Sequence, residues 1–427
     1  MKILIKNARL IDPANNLDKI GDILIEDGKI SKIEASLNVV ADKIIDAKDK
    51  IVMPGIVDMH VHLRQPGRED KETILSGTAA AIKGGVTSLL AMPNTSVCID
   101  NVKAVRLLKE IIANTAKANV FICSAITYGR EGKELVDLKA LKKEGIVAIS
   151  DDGYSVDNPA IMLKALKKAK KLKLVVTCHC EDKSISKDGV MNLGYMSTVL
   201  GLRGMPKEAE YLRVKRDIEL AKKIDAPIHI AHVSCKESIE IIAKAKKEGL
   251  PVTCETAPHY FSLTEEDVRG YDTNKKMNPP LRTKEDVYVI KEALKENIID
   301  VIASDHAPHT ENEKDVEFDK AEFGVIGLET ILSVSLTELF FSNILDLGSL
   351  VKKLTINPAK ILNIDKGTLG IGKSADVIIV SPNVSWTVKK EDFLSKAKNS
   401  AFLGRQLKGL VDYTILGGKI VYCRTTE

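Results

Sequence analysis

The sequence has no cysteine pair spaced as CxxC, and its seven cysteines are an odd number. Oxidising compartments favour even disulfide frameworks, so this set reads as reduced thiols. No run approaches the ~18 apolar residues that cross a bilayer. The opening "MKILIKNARLID" lacks the long apolar core of a secretion signal. Charge of one sign is not in excess either, since 63 basic residues face 59 acidic ones. That balance describes a solvated surface and argues against a footprint for nucleic acid or membrane. The expectation is a soluble, cytoplasmic protein.

What is present is length and apolar content. The chain has 427 residues, 44% of them hydrophobic, which fits one large domain plus a smaller one. The first 54 residues alternate apolar and polar positions between Asn/Asp/Gly turns, as in "GDILIEDGKISKIEA". The last 60 or so have the same character, with "ADVIIVSP" and "YTILGGKIVYC". Neither end forms a complete unit alone. We expect a small β-sandwich domain built from residues 1–54 and 368–427, flanking a different domain over 55–367.

The middle alternates short apolar runs with lysine-rich helical stretches. Eight runs stand out: "VDMHVHL", "VTSLLAMPN", "NVFICSAIT", "GIVAISDDG", "LVVTCHCED", "PIHIAHVS", "PVTCETAPH" and "IDVIASDHAPH". Eight consecutive βα units favour a TIM-type (β/α)₈ barrel over an open doubly wound sheet. Nearly every run ends in chemically capable residues. Seven of the eight histidines lie at these ends, and the other, His229, lies inside a run. In a barrel those ends share one rim, where active sites are built.

Residues i and i+2 of a strand point the same way. His60 and His62 therefore share a side, and Arg64 follows if the extended geometry persists. Two imidazoles so placed can hold a divalent metal. A lone HxH pair arises often by chance, but His179, His232, Asp152 and Asp305 end other runs and raise the odds. Three such donors suit one metal and four suit two. His229 and His232 face opposite ways, and His232, nearer the strand's end, is the candidate ligand. Cys178, Cys180 and Cys235 read as small buried residues.

The segments "GIVDMHVHLRQPG", "AMPNT", "AISDDG", "CHCED", "HIAHVS", "MNPPLR" and "SDHAPH" together resemble the dihydroorotases of the amidohydrolase superfamily, class I type. The likeness covers nearly the whole chain. It implies a metal-dependent cyclic amide hydrolase of pyrimidine biosynthesis, which interconverts N-carbamoyl-L-aspartate and L-dihydroorotate. His60 and His62 would hold one zinc ion, and His179 and His232 a second, more weakly held one. Many relatives bridge the ions with a carboxylated lysine on the fourth strand. Here that strand reads "GIVAISDDG", and Asp152 takes the place. Asp151 would then be structural.

The resemblance further implies a metal-activated hydroxide as nucleophile and Asp305 as general acid/base, touching a metal. Arg64 offers a planar fork for the substrate's carboxylate. Asn94 and His309 match the family's other carboxylate contacts, and Asn278 matches the residue that hydrogen-bonds the ring. Backbone near Gly324 would contribute, although Phe323 replaces a proline common there. The charged segment after His309 reads equally as a closing loop or a solvated one. A homodimer is expected, with aspartate transcarbamoylase as a candidate partner. The rival readings are another cyclic amidohydrolase, such as a hydantoinase or allantoinase, and a non-catalytic partner of a transcarbamoylase.

One motif points elsewhere. "GTLGIGKS", residues 367–374, fits the phosphate-loop pattern GxxxxGK[ST]. That pattern works between a strand and a helix. Here a helical segment precedes it and a strand-like one follows, so the context is reversed. Lys373→Ala is expected to leave turnover unchanged in a steady-state assay, whereas a large catalytic loss would give the motif a role.

Overall fold

The alternating ends of the chain fold as expected into extended strands. The structure is a computed structural model that describes residues 2–424. Lys2–Asp12 pairs antiparallel with Leu17–Glu26, across a short turn capped by the Asp12 carboxylate. Ile51–Pro54 lies antiparallel to the first residues of Val377–Thr387. That pairing joins the N-terminal strands to Gln406–Leu416 and Lys419–Cys423. The result is one continuous eight-stranded sheet drawn from both termini. Ile3, Ile5, Leu10, Ile23, Val52, Val377, Ile379 and Ile415 form its own apolar cluster.

The eight apolar runs become eight parallel strands. They are β1 (Ile56–Val61), β2 (Val86–Ala91), β3 (Asn119–Ser124), β4 (Ala148–Ile149), β5 (Val175–Cys178), β6 (Ile228–Ile230), β7 (Val252–Thr256) and β8 (Val301–Ile302). Each pairs with the next in chain order. A bridge between Val61 and His306 brings the last unit back to the first, and the His62 N–H donates to the His306 carbonyl at 2.8 Å. β1 and β2 are buried throughout and the other strands mostly so, which is why they read as near-continuous apolar runs. Helices such as Pro159–Leu172, opened by Asn158 with proline at its first turn, shield them.

The C-terminal sequence also supports the barrel. Val388, Phe393, Ala397, Ala401 and Phe402 pack in the barrel's core cluster. Asn399 accepts from the His309 N–H through its side chain and donates to the Gly324 carbonyl. The glycine-rich segment 367–374 lies between a helix, Ile356–Leu362, and a strand, as the reversed context required. Lys373 is paired there with Asp365 at 2.8 Å.

Gly84, after the helix Ile74–Lys83, approaches the backbone closely. A Cβ there would lie 2.0 Å from the Leu328 carbonyl oxygen, so the absence of a side chain sets the packing distance. Gly84→Ala is expected to cost about 1–3 kcal/mol through forced backbone movement. A thermal midpoint equal to that of the unsubstituted protein would show that the contact yields freely.

Candidate active site

The C-terminal mouth of the barrel gathers imidazoles and carboxylates from several strand ends. His60 Nε2 lies 3.3 Å from Asp152 Oδ1 and 3.7 Å from Asp305 Oδ1. His62 Nε2 lies 3.6 Å from Asp152 Oδ2 and 3.3 Å from Asp305 Oδ1. The shared parity of the two histidines therefore brings them to the same carboxylates. His179 Nδ1 and His232 Nε2 approach Asp152 Oδ1 at 3.7 and 3.8 Å, and the two nitrogens are 2.9 Å apart. All six side chains are buried. The donor sets His60–Asp152–His232 and His60–His62–Asp305 each lie within 4.8 Å, a spacing suited to a metal ion.

The electrostatics of the cluster also suit a cation. Burial opposes the charged form of His60, yet Glu255 and Asp152 outweigh it and raise the imidazole's proton affinity well above normal. Burial equally opposes ionised Asp152 and Asp305, but the neighbouring histidines hold both below the usual carboxylate range. His60 Nε2 and Asp152 Oδ1 are buried without a hydrogen-bond partner. Such atoms are rare in folded proteins and call for an explanation. A divalent cation among them would satisfy both the charge and the open lone pairs. His232 and Asp305 have φ of 33° and 48°, a backbone region uncommon for residues other than glycine and frequent at functional sites.

A second layer of acceptors orients the rings. Glu255 Oε1 accepts from His60 Nδ1 at 2.6 Å, which leaves Nε2 free to act as a donor atom. The other oxygen of Glu255 is 3.3 Å from His229 Nε2, and His229 Nδ1 meets the Thr253 hydroxyl at 2.8 Å. His229 is thus a packing residue beside Glu255, held by one hydrogen bond through Nδ1, while its Nε2 and Glu255 Oε2 are buried without a hydrogen-bond partner. Despite burial, the two histidines bring the Glu255 carboxyl down to about 2. His62 Nδ1 donates to Asn94 Oδ1 at 2.8 Å, and His179 Nε2 donates to Glu181 Oε2 at 3.2 Å. Asp151 turns away from the cluster and accepts from the Ile126 and Thr127 N–H groups, a structural task. Burial pushes the Cys178, Cys180 and Cys235 thiols well up, so none presents a thiolate donor.

Beside the cluster stand Arg64, Lys71 and His309. Arg64 reaches this place by a route that parity did not foresee, because β1 ends at Val61 and Arg64 has φ 61°. Its Nε donates to the Pro308 carbonyl at 3.1 Å, and its Nη2 lies 3.2 Å from His309 Nε2. His309 Nε2 donates to the Phe323 carbonyl at 2.8 Å, so Nδ1 accepts from Lys71 Nζ at 3.1 Å. Burial, then Arg64 and Lys71, keep His309 neutral. A Cβ on Gly324 would lie 2.7 Å from the Ala307 Cβ and 3.1 Å from His309 Nε2, so only glycine fits. Asn94 spends its oxygen on His62, and Asn278 donates to Glu181 Oε2 at 2.9 Å. The charged segment after His309 is tied down: Glu313 pairs with Arg68 and Lys71, and Lys314 donates to the Glu322 and Gly324 carbonyls.

Sequence reasoning missed Glu255, Glu181 and Lys71. Glu255 carried a signal, a lone carboxylate inside the apolar run "PVTCETAPH". Glu181 sat in a recognised segment, and Lys71 stood in a charged loop with no pattern around it.

Comparisons with known proteins agree with this geometry. A dihydro-orotase-like family model matches residues 49–238, and an amidohydrolase family model matches 332–422. The chain is 50% identical to a dihydroorotase of Elusimicrobium minutum over 98% of its length and 97% of that protein. It is also 50% identical to a dihydroorotase of Geobacter metallireducens, over 99% of its length and all of that protein. Among solved structures it resembles an L-hydantoinase (dihydropyrimidinase) from Arthrobacter aurescens, with a TM-score of 0.89 and 26% identity. That likeness covers 98% of this chain and 95% of the other.

Glu255→Ala removes the acceptor that fixes the His60 ring. We expect it to weaken divalent-cation affinity by about 10–100-fold, measured by competition with a chelator. An unchanged affinity would deny Glu255 this orienting role.

Proposed function

This chain belongs to the dihydroorotase family, and from that premise we infer how its own residues carry the family reaction, the reversible closure of N-carbamoyl-L-aspartate to L-dihydroorotate with loss of water. The chain is an enzyme, a cyclic amide hydrolase. One observation carries the assignment of residues: a buried cage of four histidines and two aspartates stands beside the Arg64 guanidinium and the Lys71 ammonium, with the neutral His309 ring between them. A cyclic amide that bears a carboxylate calls for both.

Imidazole and carboxylate donors together suit zinc. We assign His60, His62 and Asp305 as the residues that would hold one ion and His179 and His232 as those that would hold a second, more weakly, with Asp152 as a further donor. When bound, such ions lower the pKa of a water and polarise an amide carbonyl.

In the hydrolytic direction, the water oxygen joins the ring amide carbon and the carbon–nitrogen bond breaks. Asp305, held ionised by the surrounding histidines, takes the water's proton on its carboxylate and gives it to the departing nitrogen. Ring closure runs the same proton path in reverse. Arg64 pairs with the substrate's carboxylate, flanked by His309 and by the Asn94 NH₂ group that His62 leaves open. Asn278 hydrogen-bonds the ring. Burial of the cage keeps bulk water from competing for Asp305.

The hydantoinase reading has the weaker support. Its fold matches, but hydantoins carry no carboxylate that would engage Arg64. The non-catalytic reading conflicts with the survival of all four cage histidines. We further propose a place in pyrimidine biosynthesis, a cytoplasmic location and a homodimer, with aspartate transcarbamoylase as a candidate partner. The division into 1–54 with 368–427 and 55–367 is proposed as the domain boundary. Among the described residues, no helix is long and apolar enough to cross a membrane.

Carbamoyl-aspartate and dihydroorotate are expected to turn over, and hydantoin and allantoin to fail, when purified enzyme is assayed alongside metal analysis that finds zinc. Asp305→Ala should lower kcat by about 10²–10⁴-fold, and His60→Ala should abolish turnover. Full activity after exhaustive chelation would overturn the assignment.

A further inference from the structure

Glu181 is a buried carboxylate that the assigned chemistry does not use. It follows β5, two residues beyond His179. A single oxygen, Oε2, accepts from His179 Nε2 at 3.2 Å, from Asn278 Nδ2 at 2.9 Å and from Lys183 Nζ at 2.7 Å. Its partners therefore come from two separate functional groups, a cage histidine and the asparagine assigned to the ring. Glu181 itself is only 4% exposed, whereas the Lys183 side chain is half in solvent. Glu181 Oε1 and Asn278 Oδ1 are both buried and have no hydrogen-bond partner. The two residues thus leave open acceptors, and a ureide substrate is rich in N–H donors.

We propose that Glu181 is a positioning residue that couples the cation cage to substrate recognition, by holding His179 and Asn278 on one carboxylate oxygen. The proposal deepens the assignment above and rests on it. A carboxylate at this place fixes the proton on His179 Nε2, so that Nδ1 presents its lone pair to Asp152 and His232. The same oxygen fixes the Asn278 amide with its NH₂ toward Glu181 and its carbonyl oxygen free. Asn278 then meets the substrate as an acceptor. A glutamine is isosteric but uncharged: with its oxygen in the place of Oε2 and its NH₂ in the unpartnered place of Oε1, it keeps both contacts only as neutral hydrogen bonds, without the carboxylate's charge. The substitution therefore weakens both contacts together, with little change in volume.

The test compares Glu181→Gln, Asn278→Ala and His179→Ala in the zinc-loaded enzyme. Three readouts are taken: zinc per chain, zinc loss to a chelator, and KM against kcat for dihydroorotate. Asn278→Ala should raise KM and leave zinc retention unchanged. His179→Ala should lower zinc content; if it does not, the cage assignment fails, and that failure is separate from any result at Glu181. Glu181→Gln should do both things at once, with zinc lost to the chelator at least tenfold more readily and KM raised severalfold. Wild-type values for either readout in Glu181→Gln overturn the coupling. Should that variant not fold, Glu181→Asp keeps the charge but withdraws the oxygen by one methylene, and the same pair of shifts is required of it.

Discussion

The structure is organised around two carboxylates, Asp152 and Asp305, buried together at the mouth of a barrel. Unit charges ~4 Å apart interact by about 4 kcal/mol at an effective dielectric of 20, so unbalanced burial of this kind would be costly. The molecule answers with imidazoles. His60 and His62 reach both aspartates, and His179 and His232 close on Asp152. Neutral imidazoles alone do not balance two negative charges. The raised proton affinity of His60 and the open lone pairs beside it show how strongly the cluster demands positive charge. A divalent cation meets that demand without fixing the rings in their protonated form.

Such a cage works only if its rings are held, because an imidazole can present either nitrogen. Each of three cage histidines donates its outward N–H to an acceptor: His60 to Glu255, His62 to Asn94 and His179 to Glu181. These acceptors lie on or after different strands, so the barrel's register sets the tautomers. Asp58 ties the ends together further by accepting from the His60 and Ser304 N–H groups, which links β1 to the segment beyond β8. Even the C-terminal segment takes part, since Asn399 braces the backbone of His309 and Gly324. The chain's distant ends are thereby joined to the site.

Much of this was legible in the sequence because strands and barrels obey simple periodicities. Eight apolar runs became eight parallel strands in the expected order, and the histidines at their ends met at one rim. The alternation rule brought His60 and His62 to the same partners. It failed at Arg64, where the strand had already ended and a left-handed residue carried the side chain onward. Such a turn depends on tertiary contacts to Pro308 and His309 that no local pattern reveals. The resemblance singled out Asn94 and Asn278, but not the bonds they make: each faces a cage histidine or its carboxylate. The supporting residues were the least visible. Glu255 and Glu181 act through the rings they touch, and sequence spacing does not record which ring a carboxylate will face.

The division of labour between fold and specificity follows from the same geometry. The solved hydantoinase shares the fold at a TM-score of 0.89 with only 26% of its residues. The fold alone therefore does not fix which cyclic amide is taken. On the proposed assignment, what narrows the choice lies outside the cage, where Arg64 and Lys71 flank the neutral His309 ring. A neutral ring would then give the Arg64 guanidinium no counter-charge beyond the nearby carboxylates of Asp305, Asp152, Glu313 and Glu322, which do not offset its burial: the pKa is pushed down to about 10. A substrate carboxylate removes that cost and gains a bidentate contact. Specificity then arises as much from the penalty against uncharged rings as from attraction to charged ones. The left-handed turn at Arg64, which the strand pattern could not foresee, is the step that places this discrimination next to the chemistry.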